Sequence, residues 1–380
     1  MPSKNKTPPS FVAHIIMCIP VATTRRPSMR AQKQKLQSTA LDTAAALFVV
    51  HYLYNNPSWP NPWNIPSAQL WIAGFISIRC AIVFYDHLVV ATIEKLFKCK
   101  VLPTREPGAP PVRYVSLDLR SIVYLSINSL NEYAFVMRLT HYLWHGGHQQ
   151  LVPWKVEDIS LENTIIALGI MFVSMDMLYA PLHHFLHLPS MYPLIHKHHH
   201  RQHYPVRGYL DAGNEHPIEH MIGVVCTWFA VLSAELLLPS CRLCLSGNAN
   251  SPDFISKGGG VHAVTVLIFF NLHAALAMLN HSPYNVDFSL PFIGSSDLFG
   301  KDNRLMKVIG GIPFIGKRLV RILTGQWFMY SVGHHEMHHR KFNFNYGQYC
   351  MFYDLLMGTF IEYEGPKSAS QIAAERNKTK

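Results

Sequence analysis

Polar and apolar positions along this chain fall into blocks. Six blocks are apolar: residues 41–54, 70–93, 121–144, 165–182, 218–238 and 261–279. A helix needs about 20 mostly apolar residues to cross a hydrocarbon core. The first block is short for that, the second is long enough, and the last two are the clearest. Charges interrupt several of them, among these Arg79 and Asp86, then Glu132 and Arg138, then Asp176. Within a membrane segment such charges face the bundle interior or a polar cavity. The pattern predicts an all-α fold, a polytopic membrane helical bundle of four to six membrane helices. Four result if the first block and one other lie in the interface, and the even count survives.

The polar blocks differ in basic residues. The N-terminal tail carries Lys4, Lys6, Arg25, Arg26 and Arg30, and residues 55–67 carry no Lys or Arg. Residues 94–113 hold five, residues 145–160 only Lys155, and residues 239–260 only Arg242 and Lys257. Basic loops stay on the cytosolic side, so both termini are expected there. The opening, with its short apolar run FVAHIIMCIPVA, imitates a signal peptide. His14 and Pro20 interrupt that run and no convincing cleavage site follows, so it is read as a cytosolic or interfacial tail. The expected divisions are a basic tail (1–40), N-terminal membrane helices (41–164), a histidine-rich unit (165–362) and a polar tail (363–380).

Composition agrees with a membrane protein. The chain has 380 residues, 49% hydrophobic and only 15% charged, with a net charge of +10. Ordinary globular proteins carry roughly a quarter charged residues, and nucleic-acid binders are rarely this apolar. A bundle with its basic side at an anionic leaflet accounts for both features. The seven cysteines are scattered and odd in number, which excludes a disulfide framework, and Cys241 and Cys244 form a lone CxxC.

The histidines change the picture. There are 23, ten of them between His183 and His220. HHFLH begins at His183, HKHHH at His196, and GHHEMHHRKF at Gly333. His216 and His220 open one apolar block and His281 closes the next. A hairpin leaving near residue 218 and returning near 280 gathers these groups at one face, as a cytosolic histidine-rich helical cap. His183 and His187 are spaced i, i+4, on one helical face. His196, His199 and His200, and again His335, His338 and His339, are spaced i, i+3, i+4. Each box can aim two or three imidazoles at a common point. Eight nitrogens exceed the usual coordination of one metal, so two metals are expected. Imidazole suits iron, zinc, copper and nickel alike. Lone histidines such as His14 and His51 are read as ordinary residues.

HHFLH, HKHHH and HHEMHH resemble the three histidine boxes of the fatty acid hydroxylase/sterol desaturase superfamily, integral membrane di-iron oxidoreductases of the endoplasmic reticulum. EHPIEH resembles the HPxE element of sterol 4-methyl oxidases. NHSPYNV resembles the HSGYN or HSGYD element of those enzymes and of cholesterol 25-hydroxylase. HHEMHHRKFNFNYGQYCMFYDLLMGTF resembles the third box and the closing NYG…WD…GT signature. The resemblance spans residues 165–362, which makes that unit the catalytic domain. It implies metal ligands at His183, His187, His196, His199, His200, His335, His338 and His339, with His281 as a ninth. His216, His220, His273 and Asp354 are weaker candidates, as ligands or as supports for a ligand. His198 and His334, between ligand positions, are expected to support a ligand or face solvent, and Lys197 matches the lysine usual in the second box.

Three departures stand out. His184 stands where the family has arginine, Tyr353-Asp354 replaces Trp-Asp, and the 47 residues 287–333 separate NHSPYNV from the third box. Within that stretch RLMKVIGGIPFIGKRLVRIL reads as an interfacial amphipathic segment.

The implied activity is O2-dependent hydroxylation or oxidation of a C–H bond in a sterol or fatty acyl chain, at two iron ions that zinc can replace on overexpression. Side chains alone do not supply such an oxidant; a redox metal with O2 does. Asp176, Asp211, Glu215, Glu219 and Glu336 are near enough in sequence to offset the cationic centre. No HPGG haem element occurs, so cytochrome b5 and its NAD(P)H-dependent reductase are the expected partners, docking on the cytosolic face. A desaturase on the same centre and a non-catalytic membrane metal carrier or sensor are the competing readings.

Overall fold

The computed structural model describes residues 67–105, 115–147, 152–246, 260–289, 304–313, 315–323 and 327–365. The 1–40 tail, the 41–54 block, residues 247–259 and residues 366–380 lie outside them. Helix α1 (Ser67–Ala91) runs into a π-helical turn, Thr92–Leu96. It is followed by α2 (Leu119–Trp144), α3 (Leu161–Leu186), the single turn α4 (Tyr209–Ala212), α5 (Pro217–Ser246) and α6 (Ala263–Asn280). Side chains fix three of the starts. Asp118 accepts from Ser121 N at α2, Ser160 from Asn163 N at α3, and His262 from Val264 N at α6, each meeting a donor that has no partner inside its helix. The rest is short: β1 (Asp287–Ser289), α7 (Arg304–Gly310), α8 (Gly316–Leu323), β2 (Met329–Ser331), α9 (Val332–Arg340) and α10 (Phe352–Met357). β1 and β2 pair antiparallel, Asp287 opposite Ser331.

Among the described residues, four helices are long and apolar enough to cross a membrane: Ile72–Leu96, Leu161–Leu186, Pro217–Cys241 and Ala263–Asn280. They coincide with four of the six apolar blocks. The core lies where α3, α5 and α6 meet, with Ala167, Met171 and Met175 against Cys226, Ala230, Ala234, Val266 and Phe269. Small residues on two facing helices let their backbones approach closely. The outer faces carry Ile76, Phe84, Ile165, Leu236 and Leu267, all exposed. That much open apolar surface is at home in lipid, not in water.

The 121–144 block forms α2 but is not among those four helices, and its burial shows why. Ser121, Asn128, Ser129 and Asn131 point inward, while Leu119, Ile122, Val123, Val136 and Trp144 point out. Polar groups are buried here beside Tyr124, Leu125, Leu139 and Leu143 while the outer face is largely apolar, so hydropathy averaged over the helix understates its exterior. At about 1.5 Å per residue its length is still roughly 39 Å.

This topology sets the position of the functional groups. Helix α3 ends where α5 begins, and α6 returns to the same end. The last turn of α3 holds His183, the first turn of α5 holds Glu219, and His281 caps α6. The 3₁₀ segment His196–Arg201 and α9 lie at that end too, bringing all three boxes together. The amphipathic stretch becomes α7 and α8. It packs on α10 and the segment after it, where Arg321 pairs with Glu362 at 2.7 Å.

Candidate metal centre

The nine expected ligands separate into two groups. Ring nitrogens of His183, His187, His196, His200 and His338 lie within 4.8 Å of one another, and so do those of His199, His281, His335 and His339. The boxes do not map one to each group. In every box the i, i+4 pair stays together: His183 with His187, His196 with His200, His335 with His339. The remaining member of the second box, His199, joins the third-box pair, and the remaining member of the third box, His338, joins the first two boxes. Each box therefore aims two imidazoles at a common point, the smaller of the two numbers its spacing allows. Members three residues apart diverge, and the two groups are cross-linked by one residue each way. Without His281 the second group would have only three nitrogens.

The nitrogens face each other in an informative way. His183 Nε2 lies 3.1 Å from His196 Nε2, which lies 2.9 Å from His200 Nε2. In the second group the Nε2 of His335 is 3.1 Å from that of His339 and 3.3 Å from that of His281, and His281 and His199 are 3.4 Å apart. Metal–imidazole bonds of about 2.0–2.1 Å with ligand angles between octahedral and tetrahedral put neighbouring nitrogens about 2.9–3.4 Å apart. The observed spacings match that range.

The opposite ring nitrogens decide the tautomers. The Nδ1–H of His183 is donated to Tyr346 O at 2.9 Å, that of His338 to Phe344 O at 2.7 Å, that of His339 to Gln202 O at 3.1 Å and that of His281 to Ala277 O at 2.9 Å. His196 Nδ1 meets Glu219 Oε1 at 2.6 Å. Carbonyls only accept, so these Nδ1 atoms carry the hydrogens and the Nε2 atoms present lone pairs. Lone pairs facing each other at such distances repel unless a cation sits among them. His187 Nε2 and His338 Nε2 have no hydrogen-bond partner although both are shut off from solvent. These orphaned nitrogens and paired lone pairs fit a metal in each group. Burial comes first, and crowding by neighbouring imidazoles second, in holding His187, His196, His199, His200, His335 and His339 well below the usual histidine range. Burial does the same to His338 and lowers His281. All are neutral at pH 7, the form that binds metal.

Backbone carbonyls do most of the orienting, and two buried aspartates hold the loop that supplies them. Asp354 accepts from Tyr346 N, Gly347 N and Thr359 Oγ1 at 2.9, 2.8 and 2.6 Å. Asp176 accepts from Gln348 N and Tyr349 N at 2.8 and 3.0 Å, and Cys350 N–H also donates to it. Neither reaches a ligand histidine directly. Asp354 acts by fixing the turn whose Tyr346 carbonyl orients His183, and Asp176 does not sit at the metal groups to offset charge.

The other acidic candidates divide similarly. Asp211 is bound to Arg207, and Glu336 to Thr104 and Arg340. Glu215 and Glu219 are different: their carboxylate oxygens lie within 4.8 Å of a nitrogen of His199 and of one another. Glu219 is the acidic residue of the HPIE segment, so its role in orienting His196 was legible in that motif.

The weaker histidine candidates have ordinary partners. His216 Nδ1 accepts from Ile218 N at 3.1 Å, His220 Nδ1 meets Glu215 Oε1 at 3.0 Å, and His273 Nδ1 meets the Tyr349 hydroxyl at 2.7 Å. His198 Nε2 is shared between Asn214 Oδ1 and Ser121 Oγ at 2.9 and 3.2 Å, and burial lowers its pKa to about 4. His198 and His334 are buried and do not face solvent, whereas Lys197 is exposed. The two departures at single positions touch each other, with His184 Nδ1 2.8 Å from the Tyr353 hydroxyl and the His184 ring stacked on Tyr346. His262, which no motif singled out, caps α6.

Compared with protein-family models, with curated proteins and with solved structures, the chain has no match.

Proposed function

We propose that this chain is a membrane di-iron oxidoreductase that uses O2 to hydroxylate or oxidise a C–H bond of a lipid. The observation that carries the reading is the pair of buried imidazole groups at one end of a membrane bundle, five nitrogens beside four. Two ions held by His183, His187, His196, His200 and His338, and by His199, His281, His335 and His339, would supply the activation of O2 that side chains do not. The balanced reaction is R–H + O2 + 2e⁻ + 2H⁺ → R–OH + H2O.

The protein's own part is positional. Carbonyls of residues 202, 277, 344 and 346, with Glu219, hold the rings in the neutral tautomer that points Nε2 inward. The surrounding burial excludes water from the centre. The first group would offer an ion five nitrogens and the second four. A membrane carrier would need ligands through the depth of the bundle, and these gather at one end.

The basic-loop rule puts the termini and the histidine-rich end in the cytosol, and the resemblance of the histidine boxes points to the endoplasmic reticulum as the membrane. Electrons come from cytochrome b5 and its reductase on that side. Zinc stands above ferrous iron in affinity and replaces it in overexpressed protein. The test joins metal analysis to lipid profiling of cells with and without the chain. About two metals per protein and a new oxygenated lipid support the reading. One ion or none, or an unchanged lipid profile, overturns it, and a new double bond without oxygen assigns desaturation to the same centre.

A further inference from the structure

A second polar cluster lies beside the histidine groups, between α2, α4 and α5. Glu132, in the middle of α2, accepts from the Tyr209 hydroxyl at 2.9 Å through one oxygen. It is within electrostatic reach of His220, Arg79 and Glu215. Asn128, one turn earlier on the same face, donates to Gly213 O and Glu215 O at 3.0 and 2.9 Å. His220 completes the cluster through its Nδ1 contact with Glu215.

Three polar atoms here are closed to solvent and have no hydrogen-bond partner: Glu132 Oε2, Asn128 Oδ1 and His220 Nε2. Asn128 is fully buried, at 0% exposure. Burying such groups without partners costs free energy at each one. None of them belongs to the two histidine groups. The cluster nevertheless adjoins the second group, because the Glu215 carboxylate lies within 4.8 Å of a His199 nitrogen.

Apolar side chains flank the cluster on one side. Leu125, Tyr209 and Met278 form a small core separate from the main one, with Ile82 and Tyr85 of α1 packed against it. Tyr209 belongs to both, its ring in the apolar cluster and its hydroxyl on Glu132. An apolar cluster beside unpartnered acceptors presents the two chemistries that an amphiphile's tail and head require.

We propose that Glu132, Asn128 and His220 anchor the hydroxyl group of a neutral lipid, with Ile82, Tyr85, Leu125 and Met278 against its first carbons. This rests on the reading above only in taking that lipid as the substrate. Two of the three open atoms are acceptors, so the ligand must bring a donor. A carboxylate or phosphate end brings only acceptors and meets the like charges of Glu132 and Glu215. An ammonium end would add a buried cation where Arg79 already balances Glu132, at a desolvation cost. A hydroxyl both donates and accepts, and adds no charge.

The full chain in lipid nanodiscs is titrated with octadecanol, octadecane and stearate, and thermal unfolding is followed by fluorescence. Octadecanol is expected to raise the unfolding temperature at lower concentration than either of the others. Glu132→Gln keeps an acceptor for Tyr209 and removes the charge. It should weaken octadecanol about tenfold, the equivalent of one hydrogen bond to a charged group, and leave octadecane unchanged. A purely structural role for Glu132 would not alter that ratio. Equal responses to octadecanol and octadecane mean that only water fills the cluster, and this overturns the proposal, as does a preference for stearate. The ranking of probes on the unaltered protein decides even if the variant does not fold. Octadecanol selectivity without lipid oxidation leaves the anchor standing and removes the oxidase reading. Oxidation with selectivity indifferent to Glu132→Gln does the opposite.

Discussion

The two histidine groups are built from the same residue type but are not held alike. The five-membered group is braced from the outside. His183 and His338 lean on carbonyls of the 344–346 turn, and His196 leans on a carboxylate. That turn is fixed in turn by Asp354. The four-membered group has two such braces, at His281 and His339, and each group holds one ring whose Nδ1 has no hydrogen-bond partner, His200 in the first and His199 in the second. The first group therefore has one more nitrogen and a stiffer frame. The second is more open, adjoins Glu215, and faces the small cleft lined by Val115, Ser116, Arg201 and Gln202. If each group holds an ion, the difference would separate one held tightly from one with room for reactants.

The largest effect should come from the two residues that cross between groups. His199→Ala leaves the second group three nitrogens, and His338→Ala leaves the first four. Both are expected to abolish product formation while the protein stays in the membrane. Loss of an orienting partner typically costs 10–100-fold in metal affinity or activity, and loss of a ligand should exceed that. Metal content separates the two: His199→Ala should fall to about one ion per chain, and His338→Ala should retain more. Equal retention in both variants would erase the asymmetry, and near-normal turnover in both would remove the box assignment.

The sequence carried much of this, in uneven measure. The i, i+4 pairs within each box are legible because a helix or turn puts those residues on one side. The division of the odd members is not legible, because HKHHH folds as a 3₁₀ segment whose direction depends on the chain around it. His281 could be marked from its motif, but its necessity appears only when the second group is counted. The carbonyls of Gln202, Ala277, Phe344 and Tyr346 leave no trace in sequence, since every residue has one. Asp176 reads as a charge near a metal and Asp354 as a ligand or the support of one, and both are anchors for loop amides. Helix α2 shows the same limit at the level of the fold: its apolar block was visible, but not that polar groups on it are buried.

The next effect tests the carboxylate brace, which only the first group has. Glu219→Gln keeps an acceptor for His196 Nδ1–H and removes the charge. A loss of about 10–100-fold in metal affinity or turnover is expected, with the first group releasing its ion before the second on titration with a chelator. Release of both ions together would mean that the groups share one frame.

Asp354→Asn acts one step further out. The amide keeps one acceptor where the carboxylate offers two, so one of the Tyr346, Gly347 and Thr359 donors is left unmet in a buried site. The expected cost is about 1–3 kcal/mol of stability, read as a lower unfolding temperature. Turnover should fall less than for Glu219→Gln, because the His183 brace is loosened rather than removed. An activity loss as large as that of His338→Ala would place Asp354 nearer the metals than its contacts indicate.

His198→Ala should have the smallest effect, and it defines the edge of the centre. His198 sits inside HKHHH, between ligands on both sides, and is buried like them. Its ring nevertheless turns away. Nε2 is shared by Asn214 and Ser121, and the ring packs edge-on against Tyr124 at 4.8 Å. Removing it takes one partner each from Asn214 and Ser121. Ser121 keeps its contact with Asp118, which confines the loss to one neutral hydrogen bond and some packing, about 1–2 kcal/mol. Metal content should remain that of the unaltered protein and turnover should drop by less than tenfold, when both are normalised to the amount of folded protein. That normalisation matters because metal loss and unfolding are linked. A His198→Ala protein that loses an ion at equal folded amount would show that this imidazole turns inward when metal is bound. The line drawn between the two groups and their surroundings would then have to move to include it.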